Sequence, residues 1–198
     1  AMELLEGQDL SRAMERMPRW SPAAFGPVMT QVARALSQAH AVGVVHRDLK
    51  PANIFLARSG AEEVVKVLDF GIAAMEEGTS EGGRPGSLGI VGTPQYMSPE
   101  QVRGRPVDGR SDLWSLAVVA YQALTGRLPF SAATIRDLVV AISADPIPKP
   151  SSVAFTLGPR VDQFFARALA RDPGDRFATA REMAAAFAAL EEPDGAKR

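Results

Sequence analysis

The stretch Val45-His46-Arg47-Asp48-Leu49-Lys50-Pro51-Ala52-Asn53-Ile54-Phe55 concentrates charged and amide side chains between apolar residues. Two shorter motifs follow it along the chain, Asp69-Phe70-Gly71 and Ser98-Pro99-Glu100. Taken singly, an Asp or Asn in such a motif has an ordinary explanation as a turn or helix-capping residue. The three motifs in this order and at this spacing exclude that explanation and indicate a site that performs chemistry.

The three motifs resemble those of protein kinases, and the resemblance implies the transfer of a phosphoryl group. Such a transfer needs positioning, metal ions on the phosphates and a group that orients the attacking hydroxyl. Asp48 is placed to accept the hydroxyl proton, and Lys50 can neutralise charge on the transferred group. Asn53 and Asp69 offer the oxygen ligands that Mg²⁺ prefers.

The same motifs resemble the catalytic loop, the metal-binding loop and the end of the activation segment of protein kinases. The resemblance implies a mainly α fold, a protein-kinase-like C-terminal lobe with one or two small β-hairpins at the catalytic cleft. It also implies ATP and Mg²⁺ as cofactors and proteins as substrates. Asp48, Lys50, Asn53 and Asp69 match the family's residues in the four roles given above.

Two stretches narrow the resemblance to one branch of the family. Lys50 together with Gly92-Thr93-Pro94 points to Ser or Thr as the acceptor, and Thr93 resembles the threonine that bonds the base and shapes the substrate pocket. Met97-Ser98-Pro99-Glu100-Gln101 is typical of the bacterial Ser/Thr kinases. The expected function is therefore transfer of the ATP γ-phosphoryl group to protein Ser and Thr hydroxyls.

The segment from Gly78 to Gly92 holds six glycines and is predicted to be a mobile loop. Its position resembles that of the activation loop, and Ser87, five residues before Gly92, is expected to be the activating phosphosite; Thr79 and Ser80 are the alternatives. Arg47 carries a cation that can pair with such a phosphate. A structural ion pair is an equally good explanation of Arg47.

Other residues match structural positions of the family. His46 resembles a buried histidine that stacks beneath Phe70. Glu100 and Arg176 resemble an ion pair that ties the activation segment to the lower helices. Asp112 begins a stretch that resembles the central buried helix, whose Asp bonds the catalytic-loop backbone.

The opening residues 2–10 resemble the hinge that joins the two lobes of a kinase. The backbone around Glu3 and Leu5 is expected to bond the adenine edge, Asp9 to meet the ribose, and Phe55 to form the floor of the pocket.

The resemblance covers residues 1–198 as hinge plus C-terminal lobe, with the N-terminal lobe absent and a frayed tail at 191–198. Without the Gly-rich loop and the strand lysine of that lobe, the chain alone is expected to be inactive. Residues that would face the missing lobe should leave an apolar shelf, and the chain is expected either to self-associate through it or to be disordered from Asp69 to Gly92. The residues of this shelf are Met2, Leu4, Leu5, Phe55, Leu68 and Phe70.

Bulk properties exclude several other classes. The chain has 46% hydrophobic and 23% charged residues, as a globular domain does, and a net charge of -1 that gives no reason to expect nucleic acid as a partner. It has no Cys and no apolar run of the roughly 20 residues that a membrane helix needs. A cytoplasmic location is expected, with any membrane anchor of a parent protein outside these residues.

Two alternatives remain open. One is a kinase-like module that binds partners without catalysis, which degraded motifs would favour. The other is a phosphotransferase acting on small molecules, which commonly lacks a segment like Gly92 to Glu100.

Local signals predict the secondary structure around these motifs. Helices are predicted from Asp9 to about Met17, from Ser21-Pro22 to Gly43, and from Asp108-Gly109 to Gly126. Two strands, 54–56 and 64–68, should form a hairpin. Three further helices are predicted over 134–143, 161–170 and 178–190, with a proline-marked loop at 146–150 between the first two.

Overall fold

The computed structural model describes residues 6–59, 62–70 and 93–191, in which helices predominate over one small antiparallel sheet. The strands pair in the order β1 Gly7–Asp9, β2 Ile54–Ser59 and β3 Glu62–Val67. The helices are α1 Leu10–Arg16, α2 Pro22–Ala41, α3 Pro99–Val102, α4 Gly109–Thr125, α5 Ile135–Ala144, α6 Pro150–Val153, α7 Pro159–Ala168 and α8 Ala180–Ala188. Single 3₁₀ turns cover Pro51–Asn53, Pro94–Tyr96, Pro173–Asp175 and Ala189–Glu191. The mainly α architecture confirms the predicted fold class.

Helices α1, α2, α4 and α5 begin where the sequence predicts, because a side chain caps each first turn. The Asp9 carboxylate accepts the N–H of Arg12 at 3.0 Å, and the Ser21 hydroxyl accepts that of Ala24 at 3.1 Å. The same bond is made by Asp108 for α4 and by Thr134 for α5. Each cap satisfies a backbone donor that the helix itself leaves without a partner.

Helix α4 lies at the centre of the core. Trp114 and Leu116 have no exposed surface and Tyr121 has 1%. Helices α2 and α7 pack against it, and α8 packs along α2. A cluster of aromatic rings fills the space between these helices, formed by Phe25, Tyr121, Phe164, Phe165, Phe177 and Phe187. A helix that is apolar on nearly all sides is stable only in such a buried position.

The sequence suggests that Gly7 breaks an extended segment, but the structure places it inside strand β1. Gly7 has φ +148° and lies opposite Ala57 in the β1–β2 pair. A Cβ at this position would lie 2.1 Å from the carbonyl oxygen of Leu56. Glycine is therefore required for close approach of the two backbones, which adds a third strand to the predicted hairpin.

Element boundaries differ from prediction where proline starts a helix. Helix α7 begins at Pro159 and ends at Ala168, and the predicted proline loop ends at Pro150, the first residue of α6. Proline has no N–H to lose in a first helical turn. Helix α8 covers Ala180–Ala188 and continues as the 3₁₀ turn Ala189–Glu191.

In the described part of the chain, no helix is long and apolar enough to cross a membrane.

Candidate active site

The loop that precedes Asp48 is anchored to the first turn of the central helix α4. The backbone N–H groups of His46 and Arg47 each donate to the Asp112 carboxylate at 2.9 Å. The Nε2 of His40, at the end of α2, donates to the same carboxylate at 2.7 Å. Asp112 has no exposed surface, so these donors replace the water that a buried carboxylate would otherwise need. The loop is thereby fixed to both α2 and α4.

His46 connects the loop to the residues around Asp69. Its Nε2 donates to the carbonyl oxygen of Leu68 at 2.8 Å, and its Nδ1 accepts the N–H of Asp48 at 3.2 Å. These two contacts assign the proton to Nε2. The ring centroids of His46 and Phe70 are 4.8 Å apart, and the two ring planes are tilted by 58° relative to each other.

Asp48, Lys50 and Asn53 form one polar group. Lys50 Nζ lies 2.7 Å from Asp48 Oδ2, and the Asn53 amide donates to the Asp48 carbonyl at 2.8 Å and to Oδ2 at 3.3 Å. The Asp48 side chain is 38% exposed. Since the described contacts of the carboxylate all use Oδ2, Oδ1 is available to accept a hydrogen bond from an incoming hydroxyl.

Asn53 and Asp69 offer oxygens that fit a magnesium ion. The N–H of Leu68 donates to the Asn53 carbonyl at 2.8 Å, which brings the residue before Asp69 against Asn53. Both described side-chain bonds of Asn53 use its amide nitrogen, so its Oδ1 can serve as a ligand. The Asp69 side chain is exposed. One amide oxygen and one carboxylate match the few protein ligands that Mg²⁺ takes beside substrate phosphates.

Arg47 is held by its backbone while its side chain faces solvent. Its N–H donates to Asp112, and its carbonyl accepts the side-chain amide of Gln101 at 2.6 Å. Its backbone is left-handed, with φ 67°. In the ranges described here, no carboxylate pairs with the exposed guanidinium, which is thus open to an anion.

Glu100 and Arg176 form a buried, bidentate ion pair. Both oxygens of Glu100 accept guanidinium bonds at 2.8 Å, and the two residues are 6% and 2% exposed. Ser111 Oγ also donates to Glu100, at 2.5 Å. Burial acts to raise the pKa of the Glu100 carboxyl, but the bonds from Arg176 and Ser111 outweigh it and hold the pKa below its usual range. The pair ties the start of α3 to the segment before α8.

Thr93 lies at the start of the 3₁₀ turn Pro94–Tyr96. Within the described contacts, the Asp48 carboxylate meets Lys50 and Asn53 but not Thr93. The same turn is fixed to α4 by Tyr96, whose hydroxyl donates to Gln122 at 2.6 Å. Burial, partly offset by that bond, raises the pKa of Tyr96 to about 12, so the hydroxyl keeps its proton near neutral pH.

The predicted nucleotide residues are described only in part. Asp9 and Phe55 lie opposite each other in the β1–β2 pair, and Phe55 is half-buried. The Asp9 carboxylate caps α1 and also lies 3.4 Å from the Arg12 guanidinium. Glu3, Leu5 and the proposed phosphosite Ser87 lie outside the described residues.

Sequence reasoning missed three residues that support this site. No catalytic or binding role was predicted for His40 or Ser111, and none for Gln101 beyond its motif. His40 and Asp112 are 72 positions apart, and Gln101 and Arg47 are 54 apart. Gly109 is the one nearby residue whose type reflects the position of His40, because a Cβ at residue 109 would lie 2.6 Å from the His40 ring.

Comparison with known proteins agrees with this geometry. The family description "Protein kinase domain" matches residues 1–187. Serine/threonine-protein kinase Pkn1 of Myxococcus xanthus is 48% identical over 90% of this chain, and PknH of Mycobacterium bovis is 39% identical over 98%. The crystal structure of the Mycobacterium tuberculosis PknI kinase domain superimposes with a TM-score of 0.70 at 30% identity over 96% of this chain.

These relatives are longer than the chain. It spans 25% of the length of Pkn1, 32% of PknH and 64% of the solved PknI chain. The match nevertheless covers almost all of the present sequence, including the catalytic-loop and activation-segment motifs. The chain belongs to the protein kinase family, alongside bacterial serine/threonine kinases.

Proposed function

We propose that this chain is the hinge and C-terminal lobe of a bacterial protein kinase that phosphorylates Ser and Thr hydroxyls of proteins with ATP and Mg²⁺. The observation that carries the proposal is the polar group of Asp48, Lys50 and Asn53 beside Asp69. In this proposal the acceptor oxygen forms a bond to the γ-phosphorus while the bond to the β,γ-bridging oxygen breaks and ADP leaves. The hydroxyl proton passes to the Asp48 carboxylate.

Each residue of the group then has a separate task. Asp48 orients the hydroxyl through Oδ1 and takes its proton, and Lys50 offsets negative charge on the transferred group. Asn53 Oδ1 and the Asp69 carboxylate would hold Mg²⁺, which supplies charge neutralisation on the phosphates when bound. Glu3, Leu5, Asp9 and Phe55 would position the nucleotide, and Thr93 would shape the acceptor pocket.

The chain by itself is expected to show negligible transfer. In the proposal, the residues that clamp the nucleotide phosphates lie outside this sequence, and the lost positioning and charge stabilisation are worth several kcal/mol of barrier. A radiolabelled-ATP assay of the purified chain with a generic protein substrate measures this, with the parent protein as the positive control. Robust turnover by the chain alone would show that the clamp is not needed.

Ser87 is expected to be the main activating phosphosite, and its phosphate is expected to bind the exposed Arg47 guanidinium. A phosphate adds charge that an unpaired arginine can bind, which would order the loop. Phosphopeptide mapping of the active parent tests this, and Ser87→Ala should lower its activity while Ser80→Ala leaves it unchanged. Phosphate found only on Thr79 or Ser80, with Ser87→Ala fully active, is the opposite result.

We further propose that the face carrying Phe55, Leu68 and Phe70 mediates self-association of the isolated chain. All three are partly buried, so the described part of this face offers a modest apolar surface. Light scattering over a concentration series should show oligomers that Phe55→Gln reduces. Phe155, which is 91% exposed elsewhere, gives a matched control in Phe155→Ser. A chain that stays monomeric at all concentrations would contradict the proposal, as would association abolished only by Phe155→Ser.

A further inference from the structure

The peptide group between Arg47 and Asp48 is held at both of its polar atoms. Its carbonyl oxygen accepts a hydrogen bond from the side-chain amide of Gln101 at 2.6 Å, and its N–H donates to the ring of His46 at 3.2 Å. Gln101 makes the one bond to this carbonyl among the described contacts. Because a peptide group is planar, its orientation sets the direction in which the Asp48 side chain leaves the backbone.

The backbone of Arg47 needs such support. Its φ of 67° lies in the left-handed region, which is unfavourable for a residue that has a Cβ. Asp112 binds the N–H of Arg47 from the interior at 2.9 Å, and Gln101 binds its carbonyl from the side of α3. The two bonds together fix a conformation that an isolated arginine rarely adopts.

Gln101 is itself oriented by the first turn of α3. Its Oε1 accepts the N–H of Ser98 at 3.0 Å, and the Ser98 hydroxyl accepts the N–H of Gln101 at 3.3 Å, which forms a capping box. Since Oε1 already accepts this bond, the amide nitrogen is the atom that faces Arg47. Helix α3 also contains Glu100, whose buried pair with Arg176 fixes the helix to the rest of the fold. Gln101 therefore joins a firmly held helix to the catalytic loop.

We propose that Gln101 is a positioning residue for phosphoryl transfer, which orients Asp48 through the Arg47 carbonyl and ties that orientation to the segment 93–102. The proposal rests on the proposed kinase function and adds the residue by which this segment acts on the base. In the described contacts Gln101 does not meet the Asp48 carboxylate. Its loss should therefore lower kcat and leave the KM for ATP unchanged.

Gln101→Glu separates this role from helix capping. Glu accepts the Ser98 N–H as Gln does and completes the same capping box, but its carboxylate has no proton to donate to the Arg47 carbonyl. In the active parent kinase, this variant should melt near the wild-type temperature. It should lose about 10- to 100-fold in kcat, the effect of a small misplacement of a catalytic group.

Two further variants isolate the lost hydrogen bond. Gln101→Met adds no charge and removes both side-chain bonds, so it should lower the melting temperature as well as kcat. Gln31→Glu is the matched control, because the Oε1 of Gln31 on α2 also accepts a backbone N–H, that of Val65 at 3.0 Å. This variant adds the same charge and should keep the wild-type kcat.

A double-mutant cycle tests whether Gln101 acts through the base. In an Asp48→Asn background, Gln101→Glu should have almost no further effect on the residual rate, because the side chain that it positions has lost its function. The residual rates can be measured with radiolabelled ATP at saturating peptide.

A wild-type kcat in Gln101→Glu would overturn the proposal, since capping would then be the whole role of the side chain. An equal loss in Gln31→Glu, or an undiminished loss in the Asp48→Asn background, would overturn it too. Failure of the wild-type parent to phosphorylate any peptide or protein would instead overturn the proposed function, and the role of Gln101 with it.

Discussion

Asp48→Asn in the parent kinase should lower kcat by about 10²- to 10⁴-fold, the contribution of a general base. Asn keeps the size of the side chain and its hydrogen bond from Asn53, but it has no carboxylate to accept the proton. It also loses the charge that holds Lys50 at 2.7 Å. Initial rates at saturating ATP and peptide measure the effect, and thermal melting should show little change because the pair is partly exposed.

Two variants test whether the effect of Asp48→Asn comes from losing a general base or would follow from losing any carboxylate. Asp69→Asn should act through the metal, so higher Mg²⁺ concentrations should restore part of its activity. Asp108→Asn removes an exposed carboxylate that pairs with Arg110 at the start of α4, and it should leave kcat near the wild-type value. Near-normal rates in Asp48→Asn, or recovery of that variant by added Mg²⁺, would show that Asp48 is not the base.

Arg176→Ala should lower the free energy of unfolding by about 3–5 kcal/mol, the cost of leaving one partner of a buried ion pair uncompensated. Arg176 donates five hydrogen bonds, two to Glu100 and three to backbone carbonyls of Ala170, Arg171 and Arg110. Urea denaturation of the isolated chain, followed by circular dichroism, measures the loss. Arg167→Ala breaks an exposed pair with Glu182 and should cost less than about 1 kcal/mol.

The pH dependence of this loss has a definite sign. In the wild type the pKa of Glu100 lies below its unfolded value, so the stabilisation is present above the unfolded pKa and is lost as pH falls through the folded one. In Arg176→Ala, burial would raise the pKa of Glu100, and the variant should gain stability as pH falls through that raised pKa to the unfolded value. Equal losses for Arg176→Ala and Arg167→Ala at every pH would contradict this account.

Local signals made much of the fold predictable. Asp9, Ser21, Asp108 and Thr134 cap helices within three residues of themselves, so the starts of four helices could be read directly. Gly7 was misread because its role depends on Leu56, a strand neighbour far along the chain. The helix at Pro150 was predicted as a loop, and the helix at Pro159 was predicted to begin at residue 161, because proline marks both loops and first helical turns.

The candidate site was predictable as a set of residues but only partly as a set of contacts. The motif named Asp48, Lys50 and Asn53, which lie within six positions and meet in the structure. It gave no sign that His40 shares the Asp112 carboxylate or that Gln101 bonds the Arg47 carbonyl. Such contacts depend on how helices pack, and a single sequence does not encode that in any short pattern. The catalytic, metal-binding and nucleotide-binding roles of the site residues stay predictions, and Glu3, Leu5 and Ser87 lie outside the described residues.

The hydrogen bonds to Asp112 shape the catalytic loop, and they form when the protein folds. A left-handed backbone at a non-glycine residue such as Arg47 costs about 1–2 kcal/mol. The bonds from His46 and Arg47 to Asp112 hold that conformation from the interior of the protein, with no contribution from ATP or substrate. The loop is therefore set during folding, and under the proposed function each turnover would begin with Asp48 already in place.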